Sequence, residues 1–327
     1  MHHAANLAGA HTTRQRALRT VPNPASPGDP RLTEQRNPRT ADIDLASPLE
    51  IVDLLNAEDS LVPAAVAAQR ESIAAVVSAA EHAIRAGGRI FYVGAGTSGR
   101  LGVLDASEIP PTFGAPPGLV QAVIAGGPAA LTQSQEGAED QLDDGAHQMD
   151  AREIDESDIV IGIAASGTTP WVRSALARAK ARGATTAIVA CSPPPPETLE
   201  VTDLQIVVLV GPEAITGSTR LKAGTATKLV LNTITTGAMV RLGKTHGNLM
   251  VDLLASNDKL RDRSERIVME VTGLTREAAR ELIEHAGGRV KTALVMHALG
   301  VDAADAERRL AEAGGVIRRL LPAPPTP

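Results

Sequence analysis

Two short segments rich in glycine and hydroxyl residues carry side chains suited to binding a compact anion. They read GAGTSGR at residues 94–100 and ASGTTP at residues 165–170. Each follows a short apolar run and leads into a helical pattern, so its backbone N–H groups should lie at a helix N-terminus, where anions bind. Together with nearby hydroxyl groups, such N–H groups suit a terminal phosphate. The predicted phosphate contacts are Gly96, Thr97, Ser98, Ser166, Gly167 and Thr168.

The first segment also matches the G-x-G-x-x-G pattern of dinucleotide-binding folds. Those folds use an acidic residue after the second strand to bind a ribose hydroxyl, whereas the corresponding run here ends in Ala125-Gly126-Gly127. A G-x-x-x-x-G-K-[ST] pattern for triphosphates is missing from the sequence. A tight turn made by the glycines is the plainer alternative. Two hydroxyl-bearing segments on neighbouring predicted strands nevertheless favour one phosphorylated sugar held from both sides.

Two short acidic runs supply carboxylates for proton transfer, which needs a carboxyl group positioned at the reacting atom. Glu108 lies in DASEIPP at residues 105–111, and Glu139 lies in EGAED at residues 136–140. The two prolines after Glu108 predict that the chain leaves a helix there, which places Glu108 at a helix-to-loop break. Any acid in such a run can instead lie on a solvated helix face. The residues alone leave three neighbouring acids as alternatives: Asp105, Glu136 and Asp140.

A further polar cluster stands at the start of a long helical pattern over residues 218–242: Ser218, Arg220 and Lys222. Two interpretations are open. In the first, the cluster is a helix cap followed by two exposed bases. In the second, its side chains contact the anionic groups of a substrate across a subunit boundary. His246 is interpreted as structural, and Cys191 as a buried core thiol. The remaining histidines show no metal-ligand spacing such as H-E-x-x-H, so the sequence predicts no metal and no cofactor.

The elements that must position these residues alternate between short apolar runs and helical stretches. Five runs predict strands buried on both faces: 89–94, 119–125, 158–164, 185–191 and 205–210. Helices are predicted at 99–106, 129–148 (which includes Glu139) and 170–182, and earlier after a cap at Ser47 and from Pro63 to about Ala86. The alternation predicts an α/β fold with a doubly wound, mostly parallel five-stranded sheet and flanking helices. Its ligands should bind beyond the carboxyl ends of the strands.

Changes in composition and apolar periodicity along the sequence divide the chain into four predicted parts. Residues 1–31 lack apolar periodicity and predict a disordered extension, with a transit peptide as the alternative; they contain no secretory h-region. Residues 32–261 form the predicted catalytic domain. Residues 262–321 show only helical patterns, with a cap at Thr275, a break at Gly287-Gly288 and a last helix from near Asp302 or Asp305. This small helical subdomain is expected to dock on the main domain or a second subunit, and residues 322–327 form a tail.

The whole-chain composition excludes several classes of protein. Hydrophobic residues make up 43% of the 327 residues, enough for a sizeable core, while aromatic residues make up only 1%. The net charge is −6, and lysine and arginine are scattered along the sequence, so the sequence shows no cluster of basic residues that would bind nucleic acid. The single cysteine fits a reducing compartment, and no apolar run reaches the roughly 20 residues that span a membrane. These features predict a cytoplasmic protein with no nucleic-acid or membrane partner.

Several longer strings resemble one known family. They are LTEQRNP at 32–38, YVGAGTSGRLGVLDASEIPPTFG at 92–114, EGAED at 136–140, GIAASGTTP at 162–170, TGSTRLKAGTATKLVLN at 216–232 and GNLMVD at 247–252. The two glycine segments resemble the sugar isomerase (SIS) fold, whose members bind phosphosugars. The longer strings resemble the N-acetylmuramic acid 6-phosphate etherase family within that fold, and the resemblance spans about residues 32–321.

The resemblance implies a lyase that converts N-acetylmuramic acid 6-phosphate to N-acetylglucosamine 6-phosphate and D-lactate in recycling of cell-wall amino sugars. It places the catalytic pair at Glu108 and Glu139, both expected to be partly buried. It assigns elimination and water addition to Glu108, and ring opening or sugar orientation to Glu139. It also implies a homodimer without cofactor, since neighbouring subunits commonly complete SIS sites. The alternatives are a non-catalytic regulator like glucokinase regulatory protein, and an aldose–ketose phosphosugar isomerase.

Overall fold

The computed structural model describes residues 31–253 and 258–324. Residues 1–30 of the predicted extension therefore lie outside the described residues. Residues 325–327 of the predicted tail also lie outside them. Within the described ranges, no helix is long and apolar enough to cross a membrane.

Five parallel strands form a central sheet, and each overlaps a strand predicted from the sequence. They are β1 (Ile90–Gly94), β2 (Val120–Ile124), β3 (Ile159–Ile163), β4 (Thr185–Ala190) and β5 (Leu204–Val207), in the order β2-β1-β3-β4-β5. Strands β1 and β3 are buried along their whole length, as strands covered on both faces must be. The strand order reverses at β1–β3, the point at which open α/β sheets bind ligands.

Helices cover both faces of this sheet and confirm the predicted fold class. In chain order the helices are α1 (Pro48–Asp59), α2 (Val62–Ala67), α3 (Arg70–Arg85), α4 (Gly96–Phe113), α5 (Leu142–Asp150), α6 (Pro170–Ala181), α7 (Pro196–Leu199) and α8 (Lys222–Arg241). Apolar side chains of α3, α4 and α8 pack on one face, and those of α5 and α6 pack on the other. Successive residues of β1 alternate between these two cores, as the two-residue period of a strand requires.

The first helix before the sheet begins where the sequence predicts, but the second predicted helix is two separate helices. Ser47 caps α1 through a reciprocal capping box with Glu50. The continuous helix predicted from Pro63 to Ala86 is wrong, since a turn at Ala68-Gln69 separates α2 from α3. The side-chain oxygen of Gln69 accepts a hydrogen bond of 3.4 Å from the backbone N–H of Val207 in β5. This bond ties the turn to the edge of the sheet.

Helix α4 continues through two prolines that were predicted to end it. It runs to Phe113, and Gly114 ends it in the left-handed conformation. An interior proline costs a helix about 3 kcal/mol, but the last turn buries Ile109 and Phe113, and each such side chain contributes about 1.5–3 kcal/mol. Packing against the core therefore keeps this turn helical, and Glu108 lies within the helix rather than at a break.

Two further helix predictions are corrected by glycines with positive φ. Instead of one helix at 129–148, the chain forms short 3₁₀ turns at Pro128–Leu131 and Ala138–Asp140, followed by α5. Gly137, with φ +72°, interrupts the pattern, so Glu139 lies on the second turn. Helix α8 begins at Lys222 rather than at residue 218, because Gly217 (φ +76°) and tight turns precede it.

A separate hydrophobic core lies C-terminal to the sheet, between Val251 and Leu321. It contains side chains of α9 (Asp258–Thr272), α10 (Arg276–His285), α11 (Val290–Leu299) and α12 (Ala303–Glu312). A short hairpin of β6 (Thr245–His246) and β7 (Leu249–Met250) precedes these helices, and the two residues of β7 pack against the core. Thr275 and Asp302 cap α10 and α12 as predicted. The boundary placed at residue 262 stays a prediction, since residues 254–257 lie outside the described ranges.

Candidate active site

The loop after β1 forms an open helix N-terminus. A Cβ atom on Gly99 would lie 2.6 Å from Cγ1 of Ile124, so glycine is required for the close approach of α4 to β2. Gly96 has φ +52° and begins α4, whose N-cap residue Ala95 provides no side-chain hydrogen bond. The first N–H groups of α4 are therefore free of a capping side chain, and the half-buried Thr97 and Ser98 lie beside them. This arrangement suits a phosphate group.

The loop after β3 is of the same kind and contains side-chain hydrogen bonds of its own. The hydroxyl groups of Ser166 and Thr168 lie 2.8 Å apart, and the backbone N–H of Thr168 donates to Ser166 Oγ at 3.2 Å. Gly167 has φ +74°, and its carbonyl accepts a hydrogen bond of 2.9 Å from Thr198 Oγ1. The last residues of β1 and β3 pair directly, Gly94 with Ile163. The two predicted phosphate loops therefore start from adjacent strand ends.

The structure brings Glu139 to the first loop. A cavity of about 120 Å³ is lined by Ala95, Gly96 and Arg100 on one side and by residues 134–139 on the other. The Arg100 guanidinium donates to the backbone oxygens of Leu131 at 3.1 Å and Gln133 at 3.4 Å, in the segment just before residues 134–139. Glu136 also lines this cavity, so the geometry keeps it as an alternative to Glu139.

Glu108 lies apart from this cavity within the single chain. It is twelve positions after Gly96 in α4, which corresponds to about 18 Å along the helix axis. Glu108 and Glu139 are both exposed in the chain, whereas partial burial was expected. Leu104, one helical turn before Glu108 on the same face, is also 50% exposed. One chain thus presents the two predicted catalytic acids at separate, open places.

Asp105, another of the sequence alternatives, forms a buried junction between three elements. Its carboxylate accepts hydrogen bonds from Tyr92 Oη at 3.0 Å, Asn232 Nδ2 at 2.7 Å and Thr235 Oγ1 at 2.9 Å. Burial raises the pKa of Asp105, and these hydrogen bonds counter part of that shift. The three donors were not identified from the sequence, since nothing in their local pattern links β1 and α8 to an acid on α4. Asp105 therefore joins β1, α4 and α8.

The three residues of the predicted polar cluster, Ser218, Arg220 and Lys222, differ in their exposure to solvent. Arg220 is exposed and Ser218 half-buried, but Lys222 is fully buried and its Nζ donates to Glu58 Oε2 at 2.6 Å. Arg39 binds the same carboxylate. Burial alone would raise the pKa of Glu58, but the hydrogen bonds from Arg39 and Lys222 outweigh it and lower the pKa to about 2. Lys222 is thus not the exposed base of the first interpretation, because its ammonium group is buried beside Glu58, and its contact with a substrate stays a prediction.

The first turn of α8 packs beside the loop after β1, the first of the two predicted phosphate loops. A Cβ atom on Gly224 would lie 3.8 Å from Cγ2 of Thr97. The buried carboxylate of Glu213 accepts hydrogen bonds from the backbone N–H groups of Lys222 at 3.0 Å and Ala223 at 2.9 Å. Since Glu213 already occupies this helix N-terminus, the neighbouring helix N-terminus without a capping side chain is that of α4.

Two residues that were interpreted as structural are indeed buried. Cys191 is a free thiol inside the core, and burial raises its pKa to about 12. His246 is 1% exposed, and burial lowers its pKa. In the part of the chain that the structure describes, no group of three or more histidine, cysteine or acidic residues is arranged to hold a metal ion.

Known proteins resemble this chain along most of its length. A family model of the N-terminal SIS domain of glucokinase regulatory protein matches residues 71–180. The N-acetylmuramic acid 6-phosphate etherase of Gloeothece citriformis is 51% identical over 290 residues, covering 89% of this chain and 94% of that protein. The etherase of Thermosynechococcus vestitus is 54% identical over 266 residues, covering 81% and 86%. A solved phosphoheptose isomerase from Francisella tularensis matches 60% of this chain and 100% of its own, with 16% identity and a TM-score of 0.47.

Proposed function

The chain belongs to the N-acetylmuramic acid 6-phosphate etherase family, and from that premise we propose that it cleaves the D-lactyl ether of this phosphosugar. The products are N-acetylglucosamine 6-phosphate and D-lactate. The observation that carries the proposal is the pairing of two N–H- and hydroxyl-bearing loops at the ends of β1 and β3, with Glu139 beside the first. The six loop residues Gly96, Thr97, Ser98, Ser166, Gly167 and Thr168 bind the phosphate group.

The reaction requires a proton acceptor at carbon 2 and a proton donor at the lactyl oxygen. Opening of the sugar ring exposes an aldehyde at carbon 1, which makes the carbon 2 proton removable. A carboxylate takes that proton, the bond from carbon 3 to the lactyl oxygen breaks, and a carboxylic acid protonates the departing oxygen. Water then adds at carbon 3 of the unsaturated aldehyde, and a proton returns to carbon 2. Each positioned proton transfer contributes about 10²–10⁴-fold to the rate.

Glu108 carries the elimination and the water addition in this proposal, and Glu139 assists ring opening or orients the sugar. The position of Glu139 beside Gly96 supports a role close to the bound phosphosugar. Ser218 and Arg220, on the turn before α8, contact the phosphate or the lactyl carboxylate. The packing of α8 against Thr97 supports this assignment.

A homodimer brings Glu108 of one copy to the phosphate loops of the other. The separation of about 18 Å between Glu108 and Gly96 along α4 supports this arrangement. The exposed Leu104 on the same helix face supports its coverage by a second copy. Closed twofold dimers are the commonest soluble assemblies. The buried free thiol of Cys191 supports a cytoplasmic location.

Isotope labelling tests the proposed reaction. In D₂O enriched in ¹⁸O, the purified protein is expected to convert N-acetylmuramic acid 6-phosphate to unlabelled D-lactate. The aminosugar product should gain deuterium at carbon 2 and ¹⁸O at carbon 3, because water supplies both atoms after the elimination. Mass spectrometric fragmentation distinguishes carbon 3 from the anomeric oxygen, which exchanges without an enzyme.

Each alternative gives a different labelling result. An aldose–ketose isomerase would exchange hydrogen at carbon 2 without releasing lactate, and a regulator would bind the phosphosugar without either change. Folded protein that releases no lactate, or releases lactate with ¹⁸O at its ether oxygen, would contradict the elimination.

A further inference from the structure

The segment Leu32–Thr40 contains the string LTEQRNP, which the proposed reaction does not use. In the structure it lies along the loop between β5 and α8, and three of its residues are almost fully buried: Thr33, Asn37 and Thr40. We refer to Leu32–Thr40 as the N-terminal strap and to residues 208–221 as the β5–α8 loop. The two segments are about 175 positions apart in sequence.

The N-terminal strap is hydrogen-bonded to the β5–α8 loop at three successive points. Asn37 Nδ2 donates to the backbone oxygen of Pro212 at 3.2 Å, and Thr40 Oγ1 donates to that of Ala214 at 2.8 Å. The backbone N–H of Gly217 donates to the carbonyl of Thr33 at 3.0 Å. The strap thus fixes the backbone of the loop up to the residue before Ser218.

A buried ion cluster fixes the far end of the same loop. Arg39 of the strap and Lys222 of α8 bind the two oxygens of Glu58, whose side chain is 3% exposed. Lys222 directly follows the loop, and its backbone N–H is held by Glu213. Only the short turn from Ser218 to Leu221 lies between these two attachment points.

The turn held in this way carries the proposed substrate contacts. Arg220 is exposed at its tip, and the helix that follows packs against Thr97 of the first phosphate loop. We infer that the N-terminal strap is a positioning element of the substrate site, with Thr40, Asn37 and Arg39 setting the position of Ser218 and Arg220. This inference rests on the proposed contact between Arg220 and the substrate.

Substitution of Thr40 with valine tests the inference, since valine keeps the shape and removes the donor to Ala214. A lost hydrogen bond is worth a few-fold to about tenfold in an equilibrium. We expect KM for N-acetylmuramic acid 6-phosphate to rise about threefold to tenfold while kcat stays within about twofold. Thr40→Ser keeps the donor and should restore the wild-type KM. Thr272→Val is the control, because it removes a hydroxyl-to-carbonyl bond of 2.6 Å to Val268 in the C-terminal part of the chain, together with the acceptor for the Leu274 backbone N–H. The KM of this variant should equal the wild-type value.

A double-mutant cycle separates positioning from general destabilisation. If the strap acts through Arg220, Thr40→Val should change KM less than about twofold in an Arg220→Ala background. The inference would be overturned if folded Thr40→Val had an unchanged KM. It would also be overturned if Thr40→Val raised KM by the same factor in the wild-type and Arg220→Ala backgrounds. An Arg220→Ala variant with wild-type KM would overturn the proposed substrate contact itself, so the two failures are distinguishable. If Thr40→Val does not fold, Arg39→Gln, whose side chain is 55% exposed, must show the same rise in KM for the inference to stand.

Discussion

Replacing Glu108 with glutamine is expected to reduce D-lactate release by about 10²–10⁴-fold, the contribution of one positioned proton transfer. Glutamine has the size of glutamate but cannot accept the carbon 2 proton. Because Glu108 is exposed in the single chain, the substitution should leave the fold unchanged. The phosphate loops do not include it, so affinity for N-acetylglucosamine 6-phosphate, measured by calorimetry, should stay within about threefold of the wild-type value.

The matched control for this variant is Glu281→Gln, since Glu281 is an exposed glutamate on α10. Its lactate release should equal that of the wild-type protein. Near-normal turnover in Glu108→Gln would remove Glu108 from the mechanism. A loss of phosphosugar binding equal to the loss of turnover would instead place Glu108 among the binding residues.

Replacing Glu58 with glutamine is expected to lower the free energy of unfolding by about 3–5 kcal/mol, the cost of breaking a buried ion pair. The reason is that Lys222 would remain buried without a carboxylate beside its ammonium group. Urea denaturation measures the change. The control is Glu81→Gln, because Glu81 also binds two arginines, but the side chains of Arg85 and Arg241 are 43% and 68% exposed. The free energy of unfolding should fall by about 1 kcal/mol or less in this variant.

Because Glu58 stabilises the fold as a carboxylate, the free energy of unfolding is also expected to depend on pH. Its pKa is lowered to about 2 in the folded chain, against about 4.3 for an unperturbed glutamate. The stabilisation is therefore complete above the unfolded-state pKa and is lost as the pH falls from about 4 toward 2. The stability difference between the wild-type protein and Glu58→Gln should be smaller at pH 3 than at pH 6. An equal difference at both pH values would show that the carboxylate charge is not its source.

The strands and the positions of the two hydroxyl-bearing loops after β1 and β3 could be predicted because their signals are local. Each strand is a short, β-branched apolar run, and parallel strands bring their carboxyl ends to one edge of the sheet. The two loops after β1 and β3 therefore had to lie together, as the pairing of Gly94 with Ile163 shows. The capping box at Ser47 is a similar local signal.

The helix ends near the two acids could not be predicted in the same way, because tertiary packing decides them. The prolines after Glu108 favour a break, yet burial of Ile109 and Phe113 keeps α4 helical. Around Glu139, the apolar pattern favours a helix, but Gly137 adopts a left-handed conformation and leaves a 3₁₀ turn. Each error moved a catalytic candidate between a loop and a helix.

The burial of Lys222 was missed because its partner Glu58 lies 164 positions away. A signal was nevertheless present in the sequence. Glu58 continues the helical spacing of Ile51 and Leu54 in α1, where the pattern calls for an apolar residue. An acid on an apolar helix face indicates a buried partner, although the sequence does not identify that partner.

The most direct test of the two-copy site is the activity of a mixed dimer of Glu108→Gln and Glu139→Gln subunits, purified through two different affinity tags. If Glu108 of one copy serves the loops beside Glu139 of the other, one site of this dimer contains both substitutions and the other contains neither. The mixed dimer is then predicted to release D-lactate at about half the wild-type rate, because one of its two sites is intact, and faster than either parent dimer. Activity no higher than that of the parents would show that both acids act within one chain and would contradict the account.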